Sequence, residues 1–487
     1  MSASLRASVK KAVLWRSGSQ IVAQMVAWGS TLAVVRILDP ADYGLFAMTQ
    51  VVLAFLSFLN GYGFASSLIQ DSEVDPYKVR QGFGLLLVVN AGLALIQLII
   101  APLAASWYHQ PIIADLLRVQ ALIFLATPFI ALPEVLLMRE LDFRKPALVT
   151  LCATVVSATV ALTCALLGLG VWTLVYAPIA FFWSRALGLV VAARFFVVPS
   201  FRFTGAGSML SFGVLMLGSH CGWTIITQAD VFIGSRSLPP RELGLYAEAL
   251  FLTSLITYKF VPPLNEVAFP AYARIQHDKA LLAASFLKAV RLIMLVTCPL
   301  YAGLAVVAPD AVSLVLGEKW AAMSPLVSIL ALAMPAMTLH ILFAPAVNAA
   351  GKPGISLQAS LFGAAIMPFA FAAGVRWGST GLAVAWLVAF PLVPLFAFIR
   401  SRQVLGISAR ELVAAAMPGL ASSIVMALPV RALSTILSDW QPWGRLMLQI
   451  SAGGVVYAAV LFLVSRATLD ELVLLLRRQE PQLEPAE

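Results

Sequence analysis

Charge is what this chain has least of. Only 11% of its 487 residues are Asp, Glu, Lys or Arg and 61% are hydrophobic, whereas soluble domains carry roughly one quarter charged residues. A soluble globular surface cannot be assembled from that balance, so the chain reads as a polytopic membrane protein. Cysteine and histidine are scarce, at four each. Cys152, Cys164, Cys221 and Cys298 lie in apolar stretches without CxxC spacing, and His109, His220, His277 and His340 show no metal-ligand spacing. Neither a disulfide framework, a metal site nor a cofactor is supported. Long polar loops are missing too. The longest, Ala268 to Ser285, reads as partly helical, and none could fold independently as the extramembrane domain of a polymerase or glycosyltransferase. No cleavable signal is evident either: the basic Met1 to Arg16 segment leads into a span too long for a signal peptide.

What the chain does have is apolar runs of membrane-crossing length. Fourteen spans of about 20 residues are expected. Seven fall at about 13–35, 43–66, 82–106, 114–138, 147–168, 171–194 and 209–234. The other seven fall at about 243–265, 286–308, 322–347, 356–374, 379–399, 412–433 and 443–465. With the N-terminus inside, most Lys and Arg collect on the cytoplasmic side, among them Lys10, Lys11, Arg139, Arg144, Arg400 and Arg402. The opposite side keeps only Arg36, Arg236, Arg241, Lys319, Arg376, Arg431 and Arg445. Translocation of basic loops is disfavoured, so both termini are expected in the cytoplasm. The net charge of +9 follows from this topology and from contact with anionic membrane lipids, and no nucleic-acid partner is needed to explain it.

A repeat organises the spans. Arg36 to Ala47, RILDPADYGLFA, returns as RSLPPRELGLYA from Arg236 to Ala247. Each copy reads as a loop that ends one helix and starts the next: Asp39 can cap, Pro40 and Pro240 suit the first helical position, and Asp42 and Glu242 lie in the first turn. Other pairs recur at similar offsets, such as Arg144-Lys145-Pro146 with Gly351-Lys352-Pro353. Two six-helix lobes are expected, residues 1–200 (helices 1–6) and 201–402 (helices 7–12). Two further helices occupy 403–466, and 467–487 forms a cytoplasmic tail with a short interfacial helix. An even number of spans per lobe makes the repeat parallel, the arrangement of a two-lobed transporter, expected to be a monomer, that rocks around a central cavity. The basic stretch from Arg185 to Ser208 is the expected linker between lobes.

Polar residues inside spans are the candidate site. Lys259 leads, just before Pro262-Pro263, which should interrupt its helix; its alternative is a lysine snorkelling to the interface. Arg16, Gln20 and Gln24 form an i, i+4, i+8 row on the first helix, either a cavity wall or a helix-packing face. Ser57 and Asn60 share a face of the second helix, and the repeat offset brings Thr257 and Lys259 to the corresponding region of the other lobe. The seventh helix holds Thr227 and Asp230 in a polar cluster; Asp230 could carry a coupling cation or pair with Arg236. Glu134, Arg139, Glu140, Asp142, Arg144 and Lys145 read as a solvated salt-bridge network, and Asp115 with Arg118 as an i, i+3 pair.

Several motifs, taken in order, resemble the polysaccharide-transport branch of the multidrug/oligosaccharidyl-lipid/polysaccharide flippase superfamily. They are Arg36 to Ala47, Gly63 to Gln70, Leu141-Asp142-Phe143-Arg144-Lys145, Gly168 to Val175, and Asp230 to Tyr246. The resemblance implies an all-α, fourteen-helix bacterial inner-membrane flippase, not an enzyme, that moves an undecaprenyl-diphosphate-linked oligosaccharide to the periplasmic leaflet for exopolysaccharide, capsule or lipopolysaccharide O-antigen. It implies a cationic cavity, with which Lys259 and Arg16 are compatible, and polymerase and export machinery as partners; the periplasmic position of the repeat makes Arg36 and Arg236 paired gating candidates at the outer mouth. The nearest alternative is a multidrug-and-toxin-extrusion antiporter, which commonly carries an acid in a first helix that here has none. A membrane polymerase or ligase is the more distant one.

Overall fold

Apolar runs in a bilayer must satisfy their own backbone hydrogen bonds, and a chain made almost wholly of such runs has helix as its main recourse. The computed structural model describes residues 3–57, 59, 76–140, 142–202 and 207–464, and among them the only regular elements are helices. In chain order these are α1 (Ala3–Ile37), α2 (Pro40–Ser57), α3 (Pro76–Tyr108), α4 (Ile112–Gln120), α5 (Leu122–Ala126), α6 (Pro128–Arg139), α7 (Arg144–Leu166), α8 (Trp172–Ala192) and α9 (Gly207–Ser237). They continue as α10 (Pro240–Arg274), α11 (Lys279–Val315), α12 (Ser324–Ala349), α13 (Pro353–Gly374), α14 (Gly378–Ala389), α15 (Leu392–Leu405), α16 (Ala409–Ile436) and α17 (Pro442–Val464).

Ten segments among the described residues are long and apolar enough to cross a membrane. Three expected spans are helical but not in that set: α2, α9 and α10. The last is diluted by Arg241, Glu242, Glu248, Lys259 and Glu266. The eleventh and twelfth expected spans merge into Pro353–Leu405, because α13, α14 and α15 are separated only by the tight turn Val375–Trp377 and a break at Phe390-Pro391. The expected tail helix lies outside the described residues.

Two sequence expectations are corrected. Pro262-Pro263 does not interrupt α10, which runs unbroken to Arg274; each proline withholds one N–H donor, a loss that a membrane helix can accommodate without ending. Arg185 to Ser208 is not all linker, since α8 continues through Ala192. The chain beyond it is held against the start of α3: Ser200 N–H donates to the Arg80 carbonyl at 2.8 Å, and Arg80 Nε to the Val198 carbonyl at 3.0 Å. Gly84 makes that approach possible, because a Cβ there would lie 2.1 Å from the Ser200 oxygen. The Ala268 to Ser285 region is more helical than expected, with only residues 275–278 outside α10 and α11 and Asp278 capping α11 through Leu281 N–H at 3.0 Å.

The chain forms two compact units, Met1–Ala247 and Glu248–Glu487. In the first, α1 packs on α7 through Val34, Leu38, Ala161 and Ala165. Interhelical polar contacts add to this: Gln120 Nε2 donates to Thr49 Oγ1 at 3.0 Å, joining α4 to α2, and Gln97 Nε2 donates to the Leu117 carbonyl at 2.7 Å, joining α3 to α4. The core of the second unit gathers Val261, Phe286, Val290, Phe343 and Val347 from α10, α11 and α12, and extends to Leu412 and Ala416 of α16. There Gly419 brings α16 onto the backbone of α11 at Met294.

Candidate functional site

The repeat is a structural contact as well as a sequence match. Asp39 caps α2, its Oδ1 accepting from Ala41 N–H at 3.0 Å, while Asp42 Oδ2 reaches back to Asp39 N–H at 3.1 Å. Pro40 and Pro240 begin α2 and α10 as expected. The two helix starts then meet each other. A Cβ on Gly44 would lie 1.8 Å from the Pro240 oxygen, and a Cβ on Gly244 would lie 1.8 Å from the Pro40 oxygen. Arg241 Nη1 adds an exposed ion pair to Asp39 at 3.2 Å. The Gly168 to Val175 motif joins the same corner: Gly170, at φ +55°, is a position whose Cβ would come within 2.9 Å of Asp42 Oδ1.

Arg36 and Arg236 occupy equivalent last turns of α1 and α9, both exposed. Arg236 lies over the Trp107 ring, its guanidinium carbon 4.2 Å from the centroid, and Trp107 stacks on Phe232 at 5.2 Å. Asp230 Oδ2 accepts from the Tyr246 hydroxyl at 2.7 Å, and its Oδ1 accepts from Val231 N–H at 2.7 Å. Both residues are fully buried. The Tyr246 bond ties α9 to α10 inside the first unit. Thr227 spends its hydroxyl on its own helix, donating to the Trp223 carbonyl at 3.1 Å.

In the second unit Thr257 is fully buried, not exposed to a cleft. Its Oγ1 lies 2.5 Å from Tyr301 Oη and 2.9 Å from Thr338 Oγ1, so three hydroxyls join α10, α11 and α12. Lys259 follows two residues later, roughly 200° further round the helix, and is exposed. The hydroxyl cluster therefore sets the rotation of α10 that turns Lys259 away from the core. Thr257→Val with Tyr301→Phe is expected to change how fast a cysteine placed at position 259, in a chain stripped of its native cysteines, reacts with a membrane-impermeant thiol reagent. Unchanged labelling would show that the hydroxyls do not orient α10.

The remaining candidates are dispersed. Gln20 is exposed and Gln24 half-buried on α1, Ser57 is exposed at the end of α2, and Asn60 lies outside the described residues. Arg16 belongs to α1, and its side chain lies outside the described set.

Two buried acids, Asp310 and Glu248, are not singled out by the sequence, and a third acid, Glu134, has a different setting from the one expected. Asp310, buried on α11, accepts both arms of Arg445 from α17, with Nε at 2.8 Å from Oδ2 and Nη2 on Oδ1. Glu248 is buried on α10, one turn after Gly244, without an ionic or hydrogen-bonded partner among the described residues. Glu134 is not part of a solvated network: it pairs with Arg185 at 2.6 Å across α6 and α8, with both side chains less than one-fifth exposed. An apolar span around each residue was the signal available. The Arg118–Asp115 pair is present at 2.8 Å. So is an Asp142–Lys145 pair at 3.0 Å. Partial burial pushes the Asp142 carboxyl up, but hydrogen bonds from the Lys145 ammonium and backbone N–H outweigh it and hold the carboxyl below its ordinary value. Among the described residues no cluster of His, Cys, Asp or Glu could hold a metal ion.

These features define a multi-pass helical membrane protein with buried polar ties between helices and an internal repeat. The chain belongs to the polysaccharide biosynthesis protein family, whose pattern it matches over residues 33–325. It is 27% identical over 468 residues to the succinoglycan biosynthesis transport protein ExoT of Rhizobium meliloti (strain 1021), covering 93% of this chain and 92% of that one. Its fold is that of the lipid II flippase MurJ in an inward closed conformation, with TM-score 0.74, 13% identity, and 94% and 100% of the two chains covered. It is also similar to an inward-facing multidrug resistance MATE transporter of the MOP superfamily, with TM-score 0.65, 14% identity, and 79% and 98% covered.

Proposed function

We propose that this protein is a flippase that carries a polyprenyl-diphosphate-linked oligosaccharide across the bacterial inner membrane for surface polysaccharide synthesis. The observation that carries the reading is the end-to-end similarity to a succinoglycan transport protein, within a family that the chain belongs to. The MurJ-like fold supports it by analogy of architecture. The MATE likeness favours the antiporter alternative, but less of this chain takes part in it. The first helix also lacks the acidic residue common in that class, since α1 contains no Asp or Glu. Both termini are cytoplasmic in this reading, and two lobes, 1–200 and 201–402, rock about a central cavity without any covalent chemistry.

Lys259 is the proposed contact for the diphosphate. It is exposed on α10, two residues beyond the buried Thr257 hydroxyl cluster, within a stretch of the sequence whose other residues are mostly apolar, and a cation there suits an anionic headgroup. Arg16, Gln20, Gln24, Ser57 and Asn60 are the proposed further lining. Polymerase and export proteins are the proposed partners.

The function is tested by reconstituting the purified protein in vesicles with a fluorescent undecaprenyl-diphosphate glycan. Faster loss of inner-leaflet label than in empty vesicles is expected, with no ATP-independent extrusion of cationic dyes; dye extrusion without glycan movement would identify the antiporter. Lys259→Ala is expected to slow glycan movement at least tenfold at equal protein level. A variant that flips at the wild-type rate would remove Lys259 from the mechanism while leaving the flippase reading intact.

A further inference from the structure

The turn between α13 and α14 is built on two glycines. A Cβ on Gly381 would lie 1.9 Å from the Gly374 oxygen, and one on Gly374 would lie 2.5 Å from the Gly381 oxygen, so the two helices touch backbone to backbone. Beside this crossing is a groove of about 470 Å³, lined by Ala370 and Ala373 of α13 and by Val384, Ala385, Val388 and Ala389 of α14. Trp377 and Thr380 close its turn end. The lining offers almost no polar group to a ligand, and the volume is that of a small-molecule pocket. Both helices lie within a membrane-crossing segment, so the groove runs from the end of the span into the hydrocarbon region.

The rim differs from the groove. Trp377, 74% exposed, is the amphipathic ring expected where a span meets headgroups. Its neighbour Arg376 is exposed and has no ionic or hydrogen-bonded partner among the described residues. Nor could a near neighbour in sequence supply one, because the chain has no Asp or Glu between Glu318 and Glu411. A guanidinium at a membrane surface, beside a wholly apolar groove and far in sequence from any acid, matches one chemistry: a phosphate on a hydrocarbon chain.

We infer that the α13–α14 groove holds one acyl chain of an anionic phospholipid whose phosphate sits on Arg376. The glycine crossing fixes the top of the groove, the alanines keep it open, and Arg376 selects the headgroup. The assignment uses neither Lys259 nor the glycan of the transported molecule.

The test is tryptophan quenching in the full-length protein, reconstituted in phosphatidylcholine vesicles that contain brominated phosphatidylglycerol or brominated phosphatidylcholine with the same chains. The Trp377 contribution is isolated by subtracting Trp377→Phe. One surface cation is worth about a fivefold preference for an anionic lipid, so half-maximal quenching of Trp377 is expected at about one-fifth the mole fraction of phosphatidylglycerol. Arg376→Gln should abolish the preference and Arg376→Lys retain it, while Ala373→Phe, which fills the groove, should lower quenching by both lipids. Equal quenching of the wild type by the two lipids would overturn the assignment, as would a preference that survives in Arg376→Gln.

Discussion

Alanine at Gly244 or at Gly44 is expected to eliminate monodisperse protein, although it adds a single methyl group. At either position that methyl would lie 1.8 Å from a carbonyl oxygen of the opposite repeat copy. The obstacle is backbone, so no side chain can swing aside and one of the two helix starts must move. Overpacking costs about 1–3 kcal/mol where side chains can adjust, and here the displacement would also disturb the Asp39 cap and the Arg241–Asp39 pair. Gly29 provides the control. Nothing lies within 4 Å of its added Cβ, and alanine inside a helix is favoured over glycine by about 0.5–1 kcal/mol, so Gly29→Ala should melt at or above the wild-type temperature. Size-exclusion profiles after heating of detergent-extracted protein measure both. Normal elution and melting of Gly244→Ala would refute the contact.

Arg445→Ala should be the most destabilising single change in the second unit. Removing the arginine leaves Asp310, with a side chain only 8% exposed, as an uncompensated carboxylate between α11 and α17. Breaking a buried pair in this way costs about 3–5 kcal/mol, whereas replacing both partners by apolar residues is often neutral. The double variant Asp310→Leu, Arg445→Leu should therefore recover most of the stability lost by Arg445→Ala. Thermal melting of the three proteins decides the matter: a double variant as unstable as the single one would mean that the hydrogen-bond geometry, not the orphaned charge, sets the cost.

The sequence disclosed the ten membrane-length segments because their signal is local, a run of apolar residues of bilayer length. It disclosed Pro40 and Asp39 for the same reason, since a helix cap is written in adjacent residues. What it concealed are partnerships between distant positions. Gly44 and Gly244 announce tolerance of close approach but not what approaches. Arg445 reads as one more loop cation until Asp310, 135 positions away in the chain, is found beside it. Thr257 shows the limit most clearly. A hydroxyl in a span suits a polar cavity or a helix junction equally well, and only the positions of Tyr301 and Thr338 distinguish them. Glu248 escaped notice amid the apolar and small residues of LYAEALFL, although a buried carboxyl in a membrane helix should prompt a search for its role.

The glycine contact bears on how such a chain could have arisen. Gly44 meets Pro240 as Gly244 meets Pro40, with the same 1.8 Å approach in both directions. A contact that is its own counterpart is the signature of a two-fold symmetric interface, in which one surface patch serves both partners. Two identical half-length polypeptides could make it as readily as one fused chain. An ancestral dimer held at this point would have needed no new interface when its genes joined, and a substitution at its single glycine would have struck the junction twice.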